Sequence, residues 1–336
     1  MNLAQFNPLK CLVYADKINR ILDGEFPAPV VLNLDLTNEC NFRCQWCYVK
    51  DYISNEIEMP RDTASKIINE IADLGTRSIL FTGGGEPTLH PNFSKMVKLA
   101  TVRKLEIGLT TNGTQLHRLV NYLSFENFKY VRISFDAGYE QTYMRIHKAR
   151  DGDFLRVLLA ARDLSLKRCC QVGMAFLATP FNYLEIPVAL KWAENYDFDY
   201  LEIRPTVFTP FLSDDQLKKA IELSDNLVSD SVKIYSIRHR FDSLLDKRTY
   251  LCKSTPLVAV VTADARLNLC CQYRGDPKYQ WGDLSKKTFK SLWGDRRHKK
   301  LIRSIDVNDC PTCRMISYNQ IIEEVFVKGD MHLGFL

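Results

Sequence analysis

Three cysteines, Cys40, Cys44 and Cys47, stand close together in the chain, with three and two residues between them. A single loop with this spacing can wrap three thiolates around one centre, and thiolates are soft ligands that select zinc, copper(I) or iron–sulfur clusters. A closed structural site needs a fourth protein ligand, whereas a cubane held by three thiolates leaves one iron open to a small molecule. The alternative is a zinc site that takes a fourth ligand such as His90.

A second set of cysteines lies near the carboxyl terminus, with 17, 39 and 2 residues between its members: Cys252, Cys270, Cys310 and Cys313. Four thiolates can close a site, although the Cys310–Cys313 pair alone is also compatible with zinc or a redox dithiol. Cys271 adjoins Cys270, and counting from the hairpin turn at 263–265 favours Cys270 as the ligand. The remaining cysteines lie in or beside apolar runs and are expected to be small buried hydrophobes: Cys11, Cys169 and Cys170.

The elements that position these groups are predicted from alternating strand-like and helical patterns. The strand-like runs are Val30 to Leu36, Ser78 to Thr82, Glu106 to Thr110, Tyr130 to Phe135, Gln171 to Phe176 and Tyr200 to Arg204. The cysteine triplet directly follows the first of them. Alternation predicts parallel strands with right-handed crossovers, and six units are too few for a full eight-unit barrel. A partial barrel or an open sheet remains, and in either of them we expect the chemistry in the loops after the strand carboxyl ends.

Three further patterns complete the predicted organisation. A helix is predicted between Pro60 and Gly75, and a capped helix begins at Ser213 and continues through Leu227. A strand-like segment at 232–237 and a hairpin at 257–269 follow. We predict an N-terminal extension at 1–26, a barrel at 27–210, a bridging segment at 211–250 and a small cysteine-rich domain at 251–336.

The composition excludes several classes of protein. The chain has 336 residues, 46% apolar and 25% charged, which describes a globular chain with a sizeable core. It has no long uncharged apolar run and no basic-then-apolar start, so a cytoplasmic protein without a membrane partner is expected. The eleven cysteines are then better explained by metal ligation than by disulfides. The net charge of +5 permits an anionic substrate, and the basic run at 286–303 is better explained as a solvated helix face than as a nucleic-acid site.

The cysteine loop, with Trp46 before its third cysteine, resembles the signature of the radical S-adenosylmethionine (SAM) superfamily. Three further motifs of that family occur in order at the ends of the second, third and fourth predicted strands. They are Thr82-Gly83-Gly84-Gly85-Glu86-Pro87, Thr111-Asn112-Gly113 and Ser134-Phe135-Asp136. Each motif alone is also explained as a loop, a turn or a helix cap, but their order at successive strand ends favours the resemblance.

The resemblance implies a [4Fe–4S] cluster on the cysteine triplet, with SAM bound at its open iron. Glycines allow close approach of the backbone to a ligand, and a carboxylate suits the α-ammonium of SAM. Arg145 is expected to reach toward the SAM carboxylate. The implied SAM contacts are Trp46, Gly84, Gly85, Glu86, Asn112, Ser134, Asp136 and Arg145.

The carboxyl-terminal part resembles the twitch domain of radical SAM enzymes, a shortened SPASM domain. This resemblance implies one auxiliary [4Fe–4S] cluster, held by Cys252, Cys270, Cys310 and Cys313. The additional cysteines of a full SPASM domain are missing from the sequence. The expected fold is thus a partial (β/α)6 TIM-like barrel with a small α+β iron–sulfur domain, and the expected cofactors are two [4Fe–4S] clusters and SAM.

The implied function is reductive cleavage of SAM to a 5′-deoxyadenosyl radical that abstracts hydrogen from a small polar substrate, such as a sugar, an aminocyclitol or a nucleotide-like molecule. The auxiliary cluster is expected to assist an oxidation or an isomerisation, and the electron donor is expected to resemble flavodoxin or ferredoxin. Glu202 and Arg204 are candidate substrate contacts, although ion pairing at the core rim explains them more simply. The alternatives are a peptide-modifying maturase, an epimerase or isomerase acting on a nucleotide or nucleic acid, and a non-catalytic iron–sulfur electron carrier.

Overall fold

The ten strands of the protein form one continuous sheet in the order β10-β9-β8-β1-β2-β3-β4-β5-β6-β7. The computed structural model describes residues 7–53, 56–245, 250–310 and 313–328. The strands are β1 (Val31–Asp35), β2 (Ser78–Thr82), β3 (Glu106–Thr111), β4 (Phe128–Ser134), β5 (Gln171–Ala178), β6 (Tyr200–Pro205), β7 (Lys233–Ser236), β8 (Val258–Val261), β9 (Arg266–Asn268) and β10 (Gln280–Asp283). Strands β1 to β7 are parallel neighbours in sequence order, so the predicted mostly parallel α/β barrel is confirmed.

A seventh parallel strand extends the barrel beyond the six predicted units. Strand β7 pairs with β6 from Tyr200 opposite Lys233 to Ile203 opposite Ser236. It lies in the segment that the sequence analysis treated as a bridge. Its four residues are half-buried or exposed, so this strand does not have the continuous apolar run by which a buried parallel strand is identified in a sequence.

The helices pack apolar faces on the sheet. They are α1 (Ala15–Leu22), α2 (Arg61–Asp73), α3 (Phe93–Val102), α4 (Leu116–Leu119), α5 (Glu140–His147), α6 (Asp153–Leu166), α7 (Ile186–Asn195), α8 (Asp214–Asp225), α9 (Arg238–Leu245), α10 (Phe289–Leu292), α11 (Arg296–Arg303) and α12 (Ile316–Ile321). The α2 helix buries Ala64, Ile67, Ile68 and Ile71 on one side. None of the helices in the described ranges is both long and apolar enough to cross a bilayer.

The predicted helix boundaries are largely confirmed. Pro60 is the N-cap residue of α2 rather than its first helical residue, because its backbone is extended with ψ of 138°. The capping box of α8 is present, with the Ser213 side chain bound to the Gln216 backbone and the Gln216 side chain bound back. Both helix starts could be predicted because capping depends on neighbouring residues in the chain and not on tertiary contacts.

The carboxyl-terminal hairpin continues the barrel sheet instead of forming a separate one. Strands β8 and β9 pair antiparallel as predicted, and β8 also pairs in parallel with β1, from Val31 opposite Val258 to Leu34 opposite Val261. This pairing attaches the second cysteine set to the barrel beside the strand that precedes the first set.

Candidate functional site

The loops after the strand carboxyl ends meet in one cavity that contains the cysteine triplet. Cys40, Cys44 and Cys47 all line it. The loop that carries them is fixed to the end of α5, because the backbone N–H of Arg43 donates to the His147 carbonyl and that of Gln45 donates to the Ile146 carbonyl, both at 2.9 Å. The triplet is therefore placed by two backbone contacts from a helix about a hundred residues further along the chain.

The three thiols of the triplet are neutral when no centre is bound. Burial raises the pKa of Cys40 to about 12 and also raises the pKa of the Cys44 and Cys47 thiols. Neighbouring Cys40 and Cys47 raise the pKa of Cys44 further. All three are thus protonated as free thiols at neutral pH, and a bound cationic centre is what would hold them as thiolates.

His90, the suggested fourth ligand of a zinc site, is not available to bind a metal. His90 is buried, and both of its ring nitrogens are occupied. Its Nε2 lies 3.0 Å from the Met59 carbonyl oxygen, and its Nδ1 accepts from the Asn92 backbone at 3.3 Å. Within the described part of the chain, no three His, Cys, Asp or Glu side chains surround a single-ion position. A [4Fe–4S] cluster does not require such a position, because each thiolate binds a separate iron atom.

His147 is a site residue that the sequence analysis missed. Its Nδ1 lies 3.0 Å from Cys44 Sγ, and its Nε2 lies 2.9 Å from the Phe135 carbonyl oxygen. Burial lowers the pKa of His147 to about 4, so the ring is neutral at pH 7. A neutral ring that donates from Nε2 to the carbonyl presents an acceptor at Nδ1 to the thiol. No family motif includes this position, and its only sequence signal is helical spacing from the buried Tyr143.

The glycine motif at the end of β2 fits tightly against the cysteine loop. A Cβ on Gly85 would lie 2.0 Å from the Glu39 carbonyl oxygen, and one on Gly84 would lie 2.7 Å from the Tyr52 ring. The Gly85 N–H donates to the Thr37 carbonyl at 3.0 Å. The glycines are thus required by the protein's own packing, in addition to any approach of a ligand.

Glu86 joins the ends of β2 and β3. Its carboxylate is buried and accepts from the backbone and hydroxyl of Thr88, from the Thr111 hydroxyl at 2.6 Å and from the Asn112 N–H at 2.7 Å. Burial raises the pKa of Glu86, and these hydrogen bonds oppose the shift. Only one of the four bonds reaches Oε2, which therefore retains the capacity to accept from a ligand.

The predicted SAM contacts on the barrel lie together, with one exception. Trp46, Gly84, Gly85, Glu86, Asn112, Ser134 and Asp136 all line the cavity. Asp136 has a left-handed backbone with φ of 58°, and its Oδ1 accepts from the Leu177 N–H at 2.7 Å. Burial raises the pKa of this carboxyl to about 6.

Arg145 is the exception, because it does not line the cavity. It is exposed, and its guanidinium donates to the Phe181 carbonyl at 3.3 Å outside the cavity. The α5 helix buries Tyr143, Ile146 and His147, so helical geometry directs residue 145 toward another side. His147, two residues later on the same helix, lines the cavity instead.

Glu202 lies behind the cavity wall and holds two arginines that face the cavity. Its carboxylate lies 3.0 Å from Arg132 Nη1 and 2.7 Å from Arg204 Nη1, and both arginines line the cavity. Burial opposes the charge of Glu202, but the nearby guanidinium groups outweigh burial and lower the pKa of Glu202 to about 2. Ion pairing therefore accounts for Glu202, and the sequence analysis missed Arg132.

The second cysteine set also gathers in the structure. Burial raises the pKa of the Cys313 thiol to about 12, and the nearby thiols of Cys252, Cys310 and Cys271 add to this shift. Cys270 and Cys271 are adjacent and both close to the set. The residues between Cys310 and Cys313 lie outside the described residues. This arrangement fits a second thiolate site and leaves both Cys270 and Cys271 within reach of it.

A buried network connects the two cysteine regions. Arg274 Nε lies 2.8 Å from Asp35 Oδ2, and its Nη1 donates to the Tyr48 hydroxyl at 2.7 Å. The Tyr48 hydroxyl donates to the Cys271 carbonyl at 2.9 Å, and Asp35 accepts from the Gly84 N–H at 3.1 Å. The network thus ties the loop of the first cysteine set to the segment that carries the second.

Comparison with known proteins agrees with this geometry. The profile described as the radical SAM superfamily matches residues 34–185. The tungsten-containing aldehyde ferredoxin oxidoreductase cofactor-modifying protein of Pyrococcus furiosus is 24% identical over 293 residues, which cover 80% of this chain and 81% of that protein. The GTP 3′,8-cyclase of Clostridium perfringens strain 13 is 32% identical over 204 residues, which cover 56% of this chain and 58% of the cyclase.

A solved structure shares the fold. Streptococcus suis SuiB bound to S-adenosylmethionine superposes with a TM-score of 0.66 at 15% identity, covering 90% of this chain and 75% of SuiB. The fold likeness spans both the barrel and the carboxyl-terminal segment. Residues 34–185 thus match the radical SAM superfamily, whose members use a [4Fe–4S] cluster and SAM, and the cavity gathers the motifs of that family.

Proposed function

We propose that the protein cleaves SAM reductively and uses the product to abstract a hydrogen atom from a small polar substrate, with an auxiliary cluster that assists an oxidation or isomerisation. The observation that carries this proposal is the cavity itself. It contains the three thiols, the glycine motif and the ends of β3 and β4 within one continuous surface.

The residues that would hold the cofactors are Cys40, Cys44 and Cys47 for the cluster and the loops after β2, β3 and β4 for SAM. When bound, this cofactor pair supplies a 5′-deoxyadenosyl radical, which is reactive enough to remove hydrogen from an unactivated carbon. The remaining task of the protein is to orient SAM and the substrate and to exclude water.

This chain's own residues provide that orientation. Glu86, fixed by Thr88, Thr111 and Asn112, holds Oε2 toward the cavity as an acceptor for an ammonium group. Phe42 and Trp46 pack on the two sides of His147, with ring centroids 5.3 and 5.7 Å away, and they limit water around the cysteine loop. The site is therefore polar where SAM would bind and apolar around the thiols.

Cys252, Cys310 and Cys313, with Cys270 or Cys271, would hold the auxiliary cluster. Four thiolates leave no open iron, which favours a role as an electron acceptor over direct binding of substrate. The buried Tyr48–Arg274 contacts support such a role, because they fix this segment against the loop of the first cysteine set.

Two observations favour a small molecule over a peptide as the substrate. Several arginine side chains line the cavity, and the GTP 3′,8-cyclase relative is named for a nucleotide. SuiB, named with its precursor peptide SuiA in another structure, shares only the fold at this level of identity.

The test is anaerobic reconstitution followed by reduction with dithionite in the presence of SAM. We expect about eight iron atoms per chain and formation of 5′-deoxyadenosine, measured by mass spectrometry. Replacing the triplet by alanine should abolish the product, while Cys169→Ala should retain it. An intact iron–sulfur protein that gives no 5′-deoxyadenosine would support the electron-carrier alternative, and zinc in place of iron would remove both.

A further inference from the structure

Four arginines from distant parts of the chain face one side of the cavity. Arg132 lies on β4 and Arg204 on β6, Arg240 lies in the first turn of α9, and Arg314 follows Cys313. All of them line the cavity, and Arg240 lies close enough to the other three for their charges to act on it. No pattern in the sequence links them, because they come from separate segments.

Two of these arginines, Arg240 and Arg314, have no carboxylate within salt-bridge distance among the residues that the structure describes. The Nε of Arg240 is buried without a hydrogen-bond partner. Burial and the neighbouring charges of Arg204 and Arg314 lower the pKa of Arg240 to about 10, although the charge of Glu202 opposes the shift. Repulsion and burial both make this arrangement costly unless an anion binds.

Aromatic stacking holds Arg314 in place without neutralising its charge. Its guanidinium lies over the Tyr48 ring at 4.8 Å and over the Phe208 ring at 5.5 Å, and the two rings are themselves stacked at 4.6 Å. Stacking leaves the N–H edge of a guanidinium available for an oxyanion. Tyr48 directly follows Cys47, so this guanidinium stands next to the loop of the first cysteine set.

The charge surplus indicates the class of anion. Four guanidinium groups face two buried carboxyl groups, those of Glu202 and Asp136, which leaves a surplus of two positive charges. The Cys271 thiol also lies near Arg240 and Arg314, and as a thiolate it would leave a surplus of one. A carboxylate supplies one negative charge, whereas a phosphate monoester supplies about 1.5 to 2 at pH 7. A phosphate can therefore neutralise the surplus on either count, whereas a carboxylate can do so only on the second.

We propose that Arg240 and Arg314, supported by Arg132 and Arg204, form an anion subsite for the phosphate group of a phosphorylated small-molecule substrate. This inference rests on the proposed function, since the subsite places the remainder of that substrate beside the cysteine loop. It is separate from the predicted SAM contacts, which follow β1 to β4, whereas Arg240 follows β7 and Arg314 belongs to the carboxyl-terminal segment.

The test measures binding of inorganic pyrophosphate by isothermal titration calorimetry to reconstituted protein saturated with SAM, at low ionic strength. One saturable site per chain is expected. Arg240→Gln and Arg314→Gln should each weaken binding about 10- to 100-fold, because each removes a charge-assisted contact. The matched control is Arg238→Gln, which lies on the same helix and pairs with Asp225 and Asp242 at the surface. It should bind as the wild type does.

Several results would overturn the proposal. They are the absence of saturable binding, acetate binding as tightly as pyrophosphate, displacement of pyrophosphate by SAM, and an equal loss of affinity in Arg238→Gln. If a variant fails to fold, the wild type still decides the question. Pyrophosphate should protect Arg240 and Arg314, but not Arg238, from phenylglyoxal, as mapped by mass spectrometry, and unprotected Arg240 and Arg314 would contradict the subsite.

The same samples separate this proposal from the proposed function. Pyrophosphate binding without 5′-deoxyadenosine formation would keep the anion subsite and reject SAM cleavage. Formation of 5′-deoxyadenosine without pyrophosphate binding would keep SAM cleavage and reject the subsite.

Discussion

The two halves of the cavity differ in how their polar groups are satisfied. At the ends of β2 and β3, the buried carboxylate of Glu86 has protein partners on both oxygens. In the other half, Arg240 after β7 and Arg314 in the carboxyl-terminal segment have no carboxylate within salt-bridge distance among the described residues. The first half, which we call the satisfied half, is therefore preorganised by the protein itself. The second, the unsatisfied half, is completed by the ligand that binds there.

This difference explains why the halves call for different experiments. Removing a group from the satisfied half should damage cofactor binding or stability in the absence of any substrate. Removing an arginine from the unsatisfied half should alter ligand affinity and leave cofactor binding intact.

Cys44→Ala should abolish 5′-deoxyadenosine formation and lower the iron content from about eight to about four atoms per chain, because only the auxiliary cluster would remain. Iron analysis and mass spectrometry measure both quantities. Cys169→Ala, at a half-exposed cysteine outside the cavity, is the control and should retain both. Retention of all the iron in Cys44→Ala would contradict the assignment of the first half.

Glu202→Gln should make the free energy of unfolding depend less on pH in the acid range. The pKa of Glu202 is about 2 in the folded protein, below the ordinary value of 4.5. The folded state thus binds fewer protons than the unfolded state between these values. The stability from this group is complete above about pH 4.5 and is lost as the pH falls through 2. It amounts to about 3 kcal/mol.

Urea unfolding of the metal-free protein between pH 5 and pH 3 measures that profile. The wild type should lose more stability over this range than Glu202→Gln, whose side chain does not titrate. Glu106→Gln, at a partly exposed acid paired with Arg77, is the control and should follow the wild type. Parallel profiles for wild type and Glu202→Gln would mean that Glu202 does not stabilise the arginine wall as a carboxylate.

His147→Phe should shift the reduction potential of the first cluster by an amount on the order of tens of mV, because hydrogen bonding and polarity at the cysteine sulfurs set the potential. The phenyl ring retains the packing with Phe42 and Trp46. Tyr143→Phe, which removes a buried hydroxyl without a hydrogen-bond partner, is the control and should leave the potential unchanged. Potentiometric titration followed by EPR measures both, and an unshifted potential in His147→Phe would exclude an influence of the imidazole.

Arg145→Ala should change the dissociation constant of SAM less than about twofold, since the side chain lies outside the cavity and its bond to the Phe181 carbonyl is exposed. Equilibrium binding of SAM tests this expectation. A tenfold loss would return Arg145 to the role that the family resemblance assigned to it.

The satisfied half could be predicted from sequence because its residues occur as short contiguous motifs. Each motif follows a strand that is buried and therefore rich in branched residues, so its position on the sheet followed from the strand order. Even there, the sequence did not predict which side chains of α5 point inward, since Arg145 is exposed and His147 is buried. Helical rotation separates two residues that sequence proximity makes appear equivalent.

The unsatisfied half could not be predicted because its members meet only through the tertiary structure. Arg240 and Arg314 are 74 positions apart in the chain and converge through the parallel pairing of β7 and the attachment of the carboxyl-terminal segment to β1. Glu202 and Arg204 were identified as neighbours on one strand, but Arg132 on β4 was needed to explain why Glu202 is buried. Pairings of this kind leave no local pattern.

The most direct test of the first cysteine site is EPR of the reduced protein with and without SAM, in a Cys252→Ala/Cys313→Ala variant that lacks the auxiliary cluster. An iron without a protein thiolate should bind SAM, so we expect SAM to change the g values of the remaining [4Fe–4S] signal. A signal that SAM leaves unchanged would mean that Cys40, Cys44 and Cys47 do not hold a cluster with one iron open to SAM.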